Sequence, residues 1–508
     1  MSSSKFNAIL GMTALLLAAS GVAVAAPTVT KPTLIPPPVA PVNDATEATP
    51  HSVPGASAAL PLPRALPANA DVQFMGIGYA DTKALGNGLT PPDMGGAASP
   101  GFVMQMVNGG TAVFTSAGAL VRPFTTDIAF WKAAGPLGQH TSSGLSDPRV
   151  VFDAASGRFF VCELTLGGPS KAHPTRHNFI FLAVSKTSNP ADGFTAFAIP
   201  VKAGAFGDFP TLGVNADAVT ISTNNFGPDN KLLDLSVFTL PKADLTGPAP
   251  SIARLQRFDS LSSDTYGGTL HAVNSQNPGS GTQAILGTGS KLHQLTSAVL
   301  VAAGRPGVGL SAPITVFAGI DGKPAPARQP VGKYDAGDNR ISAQVSQVGD
   351  FIYFANEVSD DQGAGGAHSD YIHWGIVQSS TNTLVAEGRI LDPARATDYT
   401  YPAIDANSDG RFVIAYDGSS TSSPISAYAT VCDFDRTSAT VRCSAPETIA
   451  VGLDRSFHLY SPNRWGDYSA IQLDPANPRA FWLYQEIPGA KIGTGSAWAT
   501  VITHLVTP

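Results

Sequence analysis

One pattern returns along this chain and restricts what it can fold into. An apolar run follows Asp-Pro, Phe-Pro or Tyr-Pro, then a polar turn, then a second apolar run. It reads SDPRVVFDAASGRFFVCEL at Ser146–Leu164, DFPTLGVNADAVTISTNNF at Asp208–Phe226 and YPAIDANSDGRFVIAYDG at Tyr401–Gly418. A looser copy, GDYSAIQLDPANPRAFWLYQE, lies at Gly466–Glu486. Each copy reads as a β-hairpin that cannot bury its own face, so it needs neighbours of its own kind. The anchors Pro148 and Pro210, and again Pro402 and Ser469, are separated by roughly 60–70 residues, the length of one four-stranded blade with generous loops.

The intervening chain supplies further units. Phe102–Val121 is a hairpin turning at Asn108-Gly109-Gly110, Leu270–Leu300 alternates weakly, and Asn339–Val358 with Tyr371–Ile390 forms two hairpins of one unit. Long stretches of 3.6-residue periodicity are missing, because Gly or Pro interrupts most windows. The expected fold is all-β, a β-propeller of seven four-stranded blades, with six or eight as the alternatives. The last strand, Ala497–Val506, is expected to pair with an N-terminal strand such as Val72–Tyr79 and close the ring. Closure removes the exposed edges of an open sheet.

Ahead of this domain, residues 1–25 carry the marks of a secretion signal: Lys5, an apolar stretch over Ile9–Ala26, and the small-x-small triplet Ala23-Val24-Ala25. Residues 26–70 are rich in Pro, Ala, Thr and Val and read as an extended, disordered linker. The propeller is assigned to residues 71–508. No later run is long enough to cross a bilayer. Charged residues make up 14% of the chain, against about 25% in an average globular protein, so the surface must be rich in hydroxyl and amide groups. A net charge of −7 offers no basic field for nucleic acid. The expected setting is outside the cell or in the periplasm, with an extracellular polysaccharide or protein as partner.

The chain has 3 cysteines. Cys432 and Cys443 bracket a polar turn between two strand-like runs, within reach of a disulfide across a hairpin, and export supplies the oxidising compartment. Cys162, inside FFVCEL, reads as a buried thiol.

The segments PPDMGG, FVMQMVNGG, DPRVVFDAASGRFF, FLAVSKTSNPADGFTAF, DFPTLGV and NRWGDYSAIQLDP together resemble a largely uncharacterised group of secreted bacterial β-propeller proteins. That group is distantly like the sialidase-type propellers. The resemblance covers most of Pro91–Glu486 and implies a propeller and export. It implies no substrate.

Inner strands of a propeller begin near the mouth of a central channel, so residues just before them converge. Those positions hold Asp93, Asp147, Asp208, Arg340, Trp465 and Asp467, the candidate ligand-binding set. Carboxylates around one opening repel unless a cation or guanidinium neutralises them. The alternative is that each Asp caps the turn into its strand. The densest cluster, RSFHLYSPNRWGDYS at Arg455–Ser469, adds His458, Tyr460, Arg464 and Tyr468. If the protein is an enzyme, these are its catalytic candidates: arginine to clamp a uronate, histidine or tyrosine as acid and base. Equally, Trp465 and Tyr468 pack between blades while Arg464 pairs with Asp467. DANSDG at Asp405–Gly410 matches the first half of a calcium loop, making Asp405, Asn407 and Asp409 the metal candidates. The match then fails, with Tyr416 where an EF-hand has its glutamate, and a hairpin turn explains it equally well. No cofactor is required by the sequence, and calcium is the one candidate ion. Three functions follow: binding of an extracellular polysaccharide at the mouth, a polysaccharide lyase or glycoside hydrolase, or a cell-envelope scaffold for protein partners.

Overall fold

A computed structural model describes residues 69–508, apart from 290, 292, 321, 360–368, 459–462 and 493–494, together with the pair 42–43. The expected signal peptide and nearly all of the expected linker lie outside the described residues.

Seven sheets stand around a ring, antiparallel except where Asn274–Ser275 pairs in parallel with the inner strand of blade five. Blade one is Gly95–Ser99, Phe102–Val107 and Gly110–Thr115, with bridges Phe114 to Leu120 and Thr111 to Thr125 in place of an outer strand. Blade two is Leu145–Asp153, Arg158–Thr165, Phe179–Ser185 and Phe194–Pro200; blade three is Phe206–Val214, Ala218–Phe226, Leu232–Pro241 and Gln256–Leu261. Blade four is Gly268–Ala272, Thr282–Thr288 and Gln294–Val301, edged by Gly309–Leu310 and Ile314–Phe317. Blade five is Ser346–Val348, Phe351–Ser359, Asp370–Gln378 and Thr383–Ile390. Blade six is Thr397–Ala406, Arg411–Ser420 and Ser426–Asp435, edged by Thr440–Cys443 and Glu447–Ala450.

Blade seven closes the ring. Its strands Ala470–Leu473, Ala480–Ile492 and Gly495–Val506 come from the end of the chain, and Ala70–Gly78 completes it from the beginning, with Phe74 opposite Ile502. The expected pairing of the two ends is observed. A ring latched this way exposes no open edge between its first and last sheets.

Seven apolar clusters match the count: six fill the gap between two successive blades, and the seventh, between blades seven and one, extends over Ala327, Tyr334 and Tyr401. Phe160, Leu182 and Ile221 belong to the gap between blades two and three; Ile404, Phe412 and Tyr353 to that between five and six. Inner strands are covered on both faces and are buried nearly throughout, as in Ala218–Phe226, whereas the outer strand Thr383–Ile390 is largely open to solvent. That gradient explains why only the inner hairpins stand out as apolar runs. Cys162 is fully buried between blades two and three, and burial pushes its thiol up to about 12.

The expected disulfide joins Cys432 to Cys443, directly opposite each other on blade six with Cα atoms 4.0 Å apart. No helix of the described residues is long and apolar enough to cross a membrane.

Candidate functional site

The returning Asp-Pro, Phe-Pro and Tyr-Pro dipeptides are β-bulges. On blade two the register runs from Ser146 opposite Leu164 to Arg149 opposite Cys162, leaving Asp147 and Pro148 to face Glu163 alone. Phe209-Pro210 on blade three and Tyr401-Pro402 on blade six are bulged in the same way. Proline, with no N–H to give, is tolerated in an inner strand only at such a break. The leading residue of each bulge has a left-handed backbone, with φ of 60° at Asp147, 50° at Phe209 and 52° at Tyr401; Thr269 on blade four has 49° and Asp93, ahead of blade one, has 43°. Left-handed backbone at residues other than glycine costs about 1 kcal/mol or more each and is retained where the surroundings enforce it.

These positions gather at the end of the channel where the inner strands begin. Asp93, only 1% exposed, accepts from Asn108 Nδ2 at 2.8 Å and from the Asp467 amide at 2.8 Å. Asn108 Oδ1 in turn accepts the Asp147 amide at 2.9 Å, so one side chain ties Asp93 to Asp147. Arg464 is clamped between Asp335, at 3.0 Å, and Asp467, at 2.6 Å. Arg340 lies against Asp338 through Nε, at 2.7 Å, and its guanidinium covers the Phe209 ring. Asp208, Arg340 and Asp467 are partly open to solvent, and Asp93 and Asp147 lie buried beneath them.

Arg149 crosses the channel below this layer. Its Nε donates to the Pro210 carbonyl at 3.0 Å and Nη1 to the Ser342 carbonyl at 2.9 Å, and its guanidinium lies over the ring of Tyr468. One side chain thus links blades two, three, five and seven.

Crowded and buried, the carboxyl groups resist ionisation. Burial, then Asp467, pushes Asp147 up to about 6. Asp93 is raised well above the usual range by burial, then by Asp467 and Asp147, with Arg464 opposing. Asp208 is raised by burial, then by Asp147 and Asp467, with Arg340 opposing. Below them, burial drives the His271 imidazole down to about 3, assisted by Arg149, so it stays neutral while bonded to the Ile341 carbonyl.

Five of the ligand candidates, Asp93, Asp147, Asp208, Arg340 and Asp467, therefore share one polar layer. Trp465 does not join it. Its ring is fully buried between Phe457 and Tyr334, and its Nε1 donates to Asp417 at 2.7 Å, so it has no face to offer a sugar. The catalytic candidates are not assembled either. His458 is exposed and its ring nitrogen meets Asn463; Tyr468 donates its hydroxyl to the Pro148 carbonyl under Arg149; Tyr460 lies outside the described residues. Of that set only Arg464 enters the layer.

The metal candidates turn away from one another. Asp405 accepts the Leu473 and Ala406 amides at 2.7 and 2.8 Å, and Asn407 Oδ1 accepts the Asp409 and Arg411 amides at 3.0 and 2.9 Å. The oxygens of Asp405 and Asn407 are thus taken up by backbone amides and the Asp409 carboxylate stands apart near the Ser408 hydroxyl, an arrangement that fits the hairpin-turn reading. Among the described residues no group of three or more His, Cys, Asp and Glu side chains is arranged to hold a metal ion.

Sequence reasoning missed Arg149, Asn108, Asp335 and Asp338. Arg149 had a signal: a charge at the head of the apolar run PRVVF, on a strand buried on both faces, has only the channel to face. Asp335 and Asp338 come from the long connection between blades four and five, which carries no repeat to locate it.

No protein-family model matches this chain, and no curated protein matches it. Among solved structures, a protein of unknown function from Dyadobacter fermentans is 11% identical over 70% of this chain and 94% of that one, with a TM-score of 0.37. An α-L-arabinanase from Penicillium chrysogenum is 7% identical over 71% of this chain and 92% of that one, with a TM-score of 0.34. Drosophila plexin A, solved with semaphorin 1b, is 8% identical over 85% of this chain and 86% of that one, also at 0.34. A hydrolase and a plexin match equally well, so these likenesses carry no argument about chemistry.

Proposed function

We propose that this is an exported propeller protein that binds an extracellular polysaccharide of neutral or amino sugars at the mouth around Asp208, Arg340 and Asp467. The observation that carries it is that Arg340 and Arg464 are already ion-paired and Arg149 is bonded across the channel, while one nitrogen of each guanidinium has no hydrogen-bond partner among the described residues. Arg340 is held by Asp338, Arg464 by Asp335 and Asp467, and Arg149 by two carbonyls and the Tyr468 ring. No positive charge is left over in the mouth to attract a uronate, since Asp335, Asp338 and Asp467 oppose the guanidinium groups while burial and crowding hold Asp93 and Asp208 towards the neutral acid. Carboxylates accept hydrogen bonds from hydroxyl and ammonium groups and repel uronates. The Cys432–Cys443 disulfide accords with an oxidising compartment.

A glycoside hydrolase is the second reading, favoured by one observation: Asp147, raised to about 6, lies in the field of Asp467. Cleavage of a glycosidic bond uses two carboxyl groups held in different protonation states. The uronate lyase is less favoured, because Arg464 is doubly paired and Tyr468 is buried, while Tyr460 lies outside the described residues.

Affinity electrophoresis through gels containing neutral, amino-bearing or uronic polysaccharides, with reducing ends assayed in parallel, tests both. Retardation by a neutral or amino polysaccharide, weakened about tenfold or more in Asp467→Asn, is the expected result. New reducing ends would establish the hydrolase. Retardation by none of the polysaccharides would overturn the reading in favour of a protein partner.

A further inference from the structure

The channel has a second end. Where the inner strands of blades two, five, six and seven finish, their last residues surround a cavity of about 270 Å³. Asp147 and Asp467 lie at the beginnings of two of these inner strands, at the opposite end of the channel. Between the two ends stand Arg149, bonded to the Pro210 and Ser342 carbonyls, and Gln344, whose Nε2 reaches across to the Ile471 carbonyl. The cavity is therefore a separate compartment.

Its lining carries no Lys, Arg, His or Glu, and its one carboxylate, Asp405, is committed to backbone amides. Six of its residues are Asn or Gln. Three of them build the wall: Asn274 accepts the Val214 amide at 2.8 Å, Asn277 exchanges bonds with Gly349, and Gln472 exchanges bonds with Ala98. The other three keep capacity in reserve, since Gln276 Nε2, Gln344 Oε1 and Gln347 Oε1 make no hydrogen bond among the described residues. The Ser346 hydroxyl, 3% exposed, lines the same cavity beside the Asp405 carboxylate, which it helps to hold. Phe152, Leu473 and Pro475 supply an apolar side.

We propose that this cavity is a second binding site, and that it takes a single neutral sugar ring or the uncharged end of a glycan. Uncharged donors and acceptors beside an apolar wall match a ring that has hydroxyls on its rim and C–H groups on its face. A charged ligand would lose its water and find no counterion there. The volume suits a sugar ring rather than a polymer. The proposal does not depend on the reading of the other mouth.

Saturation-transfer NMR and calorimetry on the full chain test it, with glucose, galactose, xylose and N-acetylglucosamine as probes and glucuronate as the charged control. Gln347→Trp and Gln276→Trp fill the cavity from a half-buried and an exposed position, so at least one folded variant is to be had. Transfer to at least one neutral sugar, no transfer to glucuronate, and at least about tenfold weaker binding in the tryptophan variants are expected, with Asp467→Asn unchanged. Lack of binding by all four neutral sugars, equal binding of glucuronate, binding unaffected by both tryptophans, or loss in Asp467→Asn alone would each overturn it.

Discussion

The guanidinium carbon of Arg149 lies 3.2 Å from the centre of the Tyr468 ring, joining blade two to blade seven across the channel. Arg149 is 8% exposed and Tyr468 is 2% exposed, so the contact is desolvated and its electrostatic part is close to its full strength.

Arg149→Met should destabilise the fold by about 3–5 kcal/mol, because it strips the cation from beneath Asp147 and leaves the Pro210 and Ser342 carbonyls without their donor. Arg149→Lys should recover only part of this, since a point charge cannot serve two carbonyls and a ring at once. A double-mutant cycle with Tyr468→Leu, read by urea unfolding, should give a coupling of about 1–2 kcal/mol. Additive effects would show that the stacking contributes nothing.

The carboxyl layer should make the protein less stable as pH rises. Asp147 has a folded value of about 6 against an ordinary 3.8, so the folded state holds the proton more tightly than the unfolded chain. Stability is then lost between roughly pH 4 and pH 6 and stays low above, by about 2–3 kcal/mol for this group alone. Asp93 and Asp208 act in the same direction. Asp147→Asn should gain about 1–3 kcal/mol near pH 8 and little near pH 4, in urea unfolding at both. A wild-type protein whose stability climbs across this range would contradict the burial argument.

The latch should respond to pH in the same sense for a different reason. His504 on the last strand reaches Asp71 on the first at 2.6 Å and Asp474 at 2.8 Å. Burial pushes its pKa down, but the bonds to Asp474 and Asp71 outweigh that and leave it raised. Its contribution is fully present below the unfolded value and is lost as pH rises through the folded one. Once corrected for intrinsic exchange, amide hydrogens of Ala70–Gly78 should exchange faster above that point, and His504→Gln should exchange at the faster rate throughout. Pairing that stays equally protected across neutral pH would rule the latch out.

The disulfide spans 11 residues of sequence, and a loop of that size restrains the unfolded chain by about 3 kcal/mol. The double variant Cys432→Ala, Cys443→Ala should lose about that much in reversible unfolding. Because the bond lies toward the outside of blade six, sugar binding at either end of the channel should persist. Loss of binding with little loss of stability would reassign the bond to function.

The blades were legible in the sequence because burial on both faces writes inner hairpins as apolar runs, while the half-exposed outer strands barely register. Ala497–Val506 found its partner because the ring needs a strand that the C-terminal segment lacks. The disulfide followed from two cysteines flanking one turn. Asp147 and Asp467 could be placed at the mouth from their position before an apolar run. Trp465 misled for the same reason: adjacency to Asp467 in sequence said nothing about side-chain direction, and its ring turns inward to Asp417. Arg149, Asp335 and the amide-lined cavity depend on contacts between blades that no single repeat encodes.

The bulges have one more consequence. Asp147, Phe209, Thr269 and Tyr401 occupy the same backbone station in four blades and carry a carboxylate, a phenyl, a hydroxyl and a phenol. A residue that interrupts the ladder is released from the ladder's demands on shape and polarity. Each of these four blades therefore sets a different buried side chain at an equivalent place beneath the mouth while the pairing around it stays in register. The bulge thus lets one repeated hairpin carry four chemistries beneath a common opening without disturbing the ladder on either side.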